Sequence, residues 1–141
     1  MSYPALLMLS SINEYKNHFI SEYCAAPLDT FDGIAIRFKI SDFSHCFYES
    51  SKRNKIKDKF SCMRAQRMDW IKHTLKDPTS KLFCGWDSSK KRYDHNFRVA
   101  VVNSDYVVVI SVSPDRKTGY FRTAYVADNS IGKILCSPIW T

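Results

Sequence analysis

Arg64 and Arg67 are the first residues of this chain whose type and position ask for a chemical explanation. Three residues apart in Arg64-Ala65-Gln66-Arg67, they fall near one side of a helix. Arg64 is in line with Phe60, Met68, Ile71 and Leu75, an apolar stripe of helical period, and Arg67 lies on its shoulder. A guanidinium at the head of a core-facing stripe needs an anion. Either a carboxylate within the fold or a phosphate brought by a ligand would serve. A second pair, Thr123 and Tyr125, lies in a segment that reads as a strand. Alternation puts Phe121, Thr123 and Tyr125 on one sheet face, with Arg122 and Ala124 on the other. The hydroxyl and the phenol can reach one phosphate-sized ligand, but both residue types also favour strands for packing alone. His18, His45, His73 and His95 add groups that titrate near neutral pH and can move protons. Context singles out none of them. His73 can complement a helix dipole, and His45 stands among Phe43, Phe47 and Tyr48.

The elements that must position these groups are legible in outline. Ser61 offers an N-cap and Asp77-Pro78 a stop for a helix of about four turns through Lys59–Leu75, because the residue before proline leaves the helical region. Ser10 or Ser11 caps an earlier helix running to about Cys24, with Ile12, Tyr15, Phe19 and Ile20 or Tyr23 on one side. A strand with Ile34, Ile36, Phe38 and Ile40 inward follows, then a short helical segment capped by Ser41-Asp42. After Pro78 the pattern turns to strands at 81–86, 93–102, 106–112 and 120–126. Val107-Val108-Val109-Ile110 is apolar on both faces, as in a covered central strand. The expectation is α+β, with N-terminal helices packed on a roughly four-stranded antiparallel sheet. At 141 residues the chain makes a single domain: an N-terminal helix in 1–30, a strand and basic helical region in 31–78, and the antiparallel sheet in 79–141.

The net charge is +7, and it is concentrated: residues 41–98 hold fourteen Lys and Arg against seven Asp and Glu. A confined positive field suits a polyanion, nucleic acid foremost; the alternative is a solvated basic face that aids solubility. The five cysteines form no C-x-x-C pair, which argues against a zinc ribbon and for reduced thiols. The apolar run Ala5–Leu9 is too short to span a membrane and has no basic residues ahead of it. A cytoplasmic protein with no membrane partner is expected.

Three blocks together resemble the barnase–EndoU–colicin–RelE superfamily of RNases, in its phage- and mobile-element-associated branch. They are Phe43-Ser44-His45-Cys46-Phe47, the run from Arg64 to Ile71 continuing to Leu75-Lys76-Asp77-Pro78, and Tyr106–Ile110 followed by Gly119–Tyr125. The resemblance covers roughly residues 31–128. It implies a metal-independent, toxin-type endoribonuclease acting on tRNA or other RNA, with no cofactor. It makes His45 the general acid or base. Arg64 and Arg67 would hold the scissile phosphate, and Thr123 and Tyr125 would complete the site. RNA would be bound by Lys52, Arg53, Lys55, Lys57 and Lys59 of the basic run, with Trp70, Tyr93 and Arg98. Trp86 and Phe121 are further aromatic residues available for stacking. The partners implied are RNA and an acidic antitoxin or immunity protein. Two other classes stand beside this reading: a non-catalytic nucleic-acid-binding module, and a protein-interaction domain in which Arg64 pairs with an internal carboxylate such as Asp42.

Overall fold

The computed structural model describes residues 3–50, 58–128 and 131–141. Helix α1 (Ile12–Phe19) starts at Ser11, whose Oγ accepts the Glu14 N–H, while the Glu14 carboxylate accepts the Ser10 N–H at 2.8 Å. Two N–H groups with no partner inside the helix are thereby satisfied. The chain continues as a π-helical turn, Ile20–Cys24, so that Tyr15, Phe19 and Tyr23 are buried four residues apart. Ile12, expected inward, is exposed. After β1 (Leu28–Asp29) and β2 (Ala35–Arg37) comes α2 (Asp42–Phe47). Asp42 fixes its entry by accepting the Lys39 N–H at 2.8 Å. The two-stranded ribbon of β3 (Tyr48–Glu49) and β4 (Lys59–Phe60) then leads to Ser61, whose Oγ accepts the Arg64 N–H.

The expected long helix is two. α3 (Cys62–Gln66) and α4 (Met68–Lys76) meet at Arg67, whose backbone leaves helical geometry at φ −98, ψ 13. Donors from elsewhere in the fold reach carbonyls at this break: the Leu7 N–H bonds to Gln66 O at 2.8 Å and the Tyr106 hydroxyl to Arg67 O at 3.3 Å. The interruption therefore leaves these acceptors satisfied. Met68, Ile71 and Leu75 are fully buried as their spacing required, and the helix ends at Asp77, which is extended ahead of Pro78.

β5 (Lys81–Asp87), β6 (Arg92–Asn103), β7 (Tyr106–Val112) and β8 (Thr118–Val126) form the expected antiparallel meander. The sheet is nonetheless six-stranded and mixed, in the order β1-β2-β8-β7-β6-β5. β2 lies parallel to β8, with Ala35 opposite Thr118 and Arg37 opposite Tyr120, and β1 adds antiparallel outside it. Pairing between segments this distant in the chain depends on the folded arrangement of everything between them, which local alternation does not specify. The resulting architecture is α+β.

Both sheet faces are covered. One carries the main core, where Tyr106, Val108, Ile110, Phe121 and Ala124 pack with the aromatic residues of α1 and α2 and the apolar stripe of α4. The other holds a smaller cluster of Phe83, Ala100, Val102, Val107 and Ala127 against Ile131 and Ile134 of α5 (Ile131–Leu135). The double apolar pattern of β7 has this cause. Among the described residues, no helix is long and apolar enough to cross a membrane.

Candidate active-site cleft

α5 covers only part of the second sheet face, and the uncovered part is the floor of a cleft of about 710 Å³. Ala100 of β6 and Val109 of β7 contribute to it, and Thr123 and Tyr125 of β8 stand beside them. The geometry of β8 departs from simple alternation. Phe121 pairs with Ile110 and Thr123 with Val109, which leaves Arg122 as an extra residue in a β-bulge. A bulge re-aims the side chains that follow it. Phe121 consequently goes into the main core, where it stacks on Phe38 with ring centroids 4.8 Å apart, and is not available to a ligand. Arg122, expected to face away from Thr123, lines the same cleft.

A second irregularity brings in Arg98. Between Cys84 and Gly85 the register of β5 on β6 jumps, so that Cys84 faces Val99 while Gly85 faces Asp94. The Arg98 side chain lies directly over Gly85, where a Cβ would come within 2.4 Å of its Cγ. Its Nη1 donates to Trp86 O at 3.3 Å. Trp86, 51 % exposed, meets Tyr93 edge-on with ring centroids 5.1 Å apart, and both rings line the cleft. Lys133 of α5 and His45 of α2 complete its charged and titratable lining. His45 can reach it because β2 pairs only with the first residues of β8, and α2 packs against β8 beyond them. Burial pushes the Asp42 carboxyl up, opposed by its bond from the Lys39 N–H and by its interactions with Lys39, His45 and Arg122.

The charged side chains that line this cleft are of one sign. Arg98, Arg122 and Lys133 line it and no carboxylate does. Among the described residues, none of the three has an acidic side chain within ion-pairing distance. The hydroxyls of Ser88, Thr123 and Ser137 and the phenols of Tyr93 and Tyr125 are neutral donors. Burial raises the Tyr125 pKa while Arg64 pulls it down, and the net direction is up. The phenol therefore stays protonated at neutral pH and can donate a hydrogen bond.

The predicted arginine pair occupies a different place. Arg64 and Arg67 line a smaller hollow of about 130 Å³ on the other side of Tyr125, together with Tyr106, Glu49 and Asp128. Arg64 is half-buried, and its Nη1 donates to Cys46 O at 3.1 Å, in the last turn of α2. A cation there satisfies a terminal carbonyl and complements the helix dipole. No carboxylate among the described residues forms an ion pair with it, so the pairing of Arg64 with Asp42 is not formed. Arg67 donates to Met63 O at 2.9 Å and lies 5.1 Å over the Trp70 ring. Trp70 is itself occupied: Tyr3 stacks on it at 4.3 Å, and its Nε1 donates to Pro4 O. The Tyr3 stack takes one of its ring faces from any base.

Of the predicted residues, His45, Thr123, Tyr125, Tyr93 and Arg98 thus share the large cleft, while Arg64 and Arg67 stand behind it, linked through Tyr125. Lys59 is exposed on β4 and lines neither hollow. Lys52, Arg53, Lys55 and Lys57 lie outside the described residues. Sequence reasoning missed Arg122 and Lys133 as cleft cations. The missing signal for Arg122 was the bulge, which has no counterpart in residue type. The chain matches no family model, no curated protein and no solved structure.

Proposed function

We propose that the protein is an endoribonuclease of the toxin type, with the large cleft as its active site. The observation that carries this reading is the lining of that cleft: two arginines and a lysine, a histidine, a strand threonine and a protonated tyrosine, with no carboxylate among them. Such a surface attracts a phosphodiester and holds it beside groups that can move protons. The resemblance to the barnase–EndoU–colicin–RelE superfamily points the same way, since it assigns His45, Thr123 and Tyr125 to the chemistry.

RNA carries its own nucleophile, so the step requires neither a covalent enzyme intermediate nor a metal-bound water. In the proposed reaction His45 takes the proton of the 2′-hydroxyl as its oxygen bonds to phosphorus. The bond from phosphorus to the 5′-oxygen of the next nucleotide breaks, that oxygen takes a proton from solvent water, and His45 gives the proton it took to the hydroxide so formed. The products are a 2′,3′-cyclic phosphate and a free 5′-hydroxyl. Arg122 and Arg98 offset the charge that builds on the phosphorane, and the Tyr125 phenol and Thr123 hydroxyl donate to its oxygens. Arg64 acts from behind by holding α2, and hence His45, against β8. An acidic antitoxin or immunity protein would be the natural cover for so cationic a cleft.

The decisive experiment incubates purified protein with end-labelled RNA in EDTA. Cleavage to fragments ending in a 2′,3′-cyclic phosphate is expected, reduced by at least 100-fold in His45→Ala, on the order of the contribution of a general acid or base. Tyr125→Phe keeps the ring and removes the hydroxyl, and unchanged turnover in that variant would take Tyr125 out of the chemistry. Intact RNA with tight, salt-sensitive binding would instead identify a nucleic-acid-binding module that does not cut.

A further inference from the structure

Trp86 and Tyr93 have a second hollow on their far side, about 520 Å³ in volume, formed by the outer end of the β5–β6 ribbon. Its character differs from that of the cleft. Phe97, 44 % exposed, lines it with the two shared rings. Asp87 and Asp94 line it as well, with Lys90, Arg92 and His95. Asp87 Oδ1 accepts from the Ser89 Oγ at 2.6 Å and from the Ser89 N–H at 3.0 Å. Asp94 Oδ1 accepts from the Asn96 and Phe97 N–H groups, each at 2.9 Å. The Ser89 hydroxyl chiefly holds the Asp87 carboxyl below its usual range. Burial opposes the same shift at Asp94, but the two backbone donors and Arg98 outweigh it. Both carboxylates are therefore charged at neutral pH.

The charges of this hollow are mixed, two carboxylates beside Lys90 and Arg92, whereas the charged side chains that line the neighbouring cleft are cationic. What distinguishes the hollow is aromatic surface: the exposed Trp86 and Phe97 rings and the half-buried Tyr93 ring. Exposed aromatic faces beside a cationic track are the means by which proteins bind the bases of single-stranded nucleic acid, because each base has a ring face to stack whatever its identity. The two hollows adjoin at Trp86 and Tyr93, which line both.

We infer that this hollow is a nucleobase subsite. It takes the base of a nucleotide adjoining the one whose phosphate lies in the cationic cleft, and Phe97 is the ring that belongs to this subsite alone. The inference rests on the proposed RNA-cleaving function and adds to it a division of labour: one hollow for phosphate, the other for base. It requires the bound strand to be unpaired at this position, since a base held in a duplex cannot reach a side-chain stack.

The test uses fluorescence anisotropy with a labelled, short 2′-O-methyl oligouridylate, which lacks the attacking hydroxyl and so is not consumed. Phe97→Ala is expected to weaken binding roughly 5- to 100-fold, the loss associated with one stacked base. The slope of log affinity against log salt should stay the same, because no cation has been removed. Phe97→Tyr should restore affinity. Inorganic polyphosphate, which has no base, should bind wild type and Phe97→Ala equally. Equal oligouridylate affinity in Phe97→Ala, or a parallel loss of polyphosphate binding, would overturn the subsite. If wild type still cuts RNA in EDTA in that event, the proposed function stands without it. A wild-type protein that neither binds the probe nor cuts RNA would bring down both.

Discussion

Gly85→Ala tests how the cleft is built, because the added methyl group has nowhere to go. The new Cβ would lie 2.4 Å from Arg98 Cγ, 2.8 Å from its Cδ and 3.2 Å from its Cβ. Non-bonded carbons rest at about 3.5–4.0 Å, so the Arg98 side chain must leave its place over the strand. Cγ and Cδ can swing away by rotation of the side chain, whereas Cβ is fixed by the backbone, so the 3.2 Å contact must be absorbed by a shift of a few tenths of an ångström between the strands. The Nη1 bond to Trp86 O would be lost at the same time. A destabilisation of about 1–3 kcal/mol follows, within the usual range for overpacking. In a chain of this size that corresponds to a fall in Tm of roughly 3–12 °C. The larger consequence concerns charge. With Arg98 displaced from the cleft, the slope of log affinity for single-stranded RNA against log salt should become shallower by about 0.7, the effect of one fewer phosphate contact. The assay is a salt titration of oligouridylate binding, run beside thermal denaturation, on Gly85→Ala, Arg98→Ala and the double variant. Once Arg98 is truncated the methyl group finds room, so the double variant should be close to Arg98→Ala alone and the two changes should not add. A Gly85→Ala protein with wild-type Tm and an unchanged salt slope would refute the placement of Arg98 over Gly85 and, with it, the role of Arg98 in the cleft.

Other outcomes follow from single contacts. Arg64→Ala removes the donor to Cys46 O and should cost about 1 kcal/mol in urea denaturation. If cleavage falls much further than stability does, Arg64 positions the site as well as α2; a loss proportional to unfolding leaves it a purely structural cap. Tyr23→Phe removes a buried hydroxyl that donates to Met68 O at 2.7 Å, with an expected loss of about 1–3 kcal/mol in the same assay. Asp77 is held below the usual carboxylate range, first by the Thr79 N–H and then by the Thr79 hydroxyl and Asn103. A depressed carboxylate contributes stability above its unfolded pKa of about 3.9, and loses it as pH falls through the folded value. Asp77→Asn should therefore lower stability at pH 7 and make the acid side of the stability profile shallower, which urea unfolding from pH 7 to pH 2 would measure.

Local chemistry explains why much of the scaffold could be read in advance. Caps at Ser11 and Ser61 depend on a hydroxyl next to unpaired N–H groups, and the end at Asp77 depends on the proline ring that follows. The burial of Met68, Ile71 and Leu75 and the doubly covered β7 likewise follow from periodicity in adjoining residues. The candidate site was less legible. His45, Thr123, Tyr125, Tyr93 and Arg98 could be singled out by type, but their assembly in one cleft could not be read from spacing, nor could the placement of Arg64 and Arg67 in a separate hollow that shares Tyr125 with it. The break at Arg67 has its carbonyls met by Leu7 and Tyr106, donors that lie far off in sequence.

By itself, then, the sequence determined where helical segments start and stop at Ser11, Ser61 and Asp77, the meander and a basic middle, because each rests on contacts between near neighbours or on composition. Only the tertiary structure decided which charges share a cleft. Strict alternation puts Phe121 and Thr123 on one face and Arg122 on the other. One unpaired residue in β8 sends Phe121 into the core and leaves Arg122 beside Thr123. A bulge is fixed by how two strands register along their whole length, so no single residue in β8 announces it.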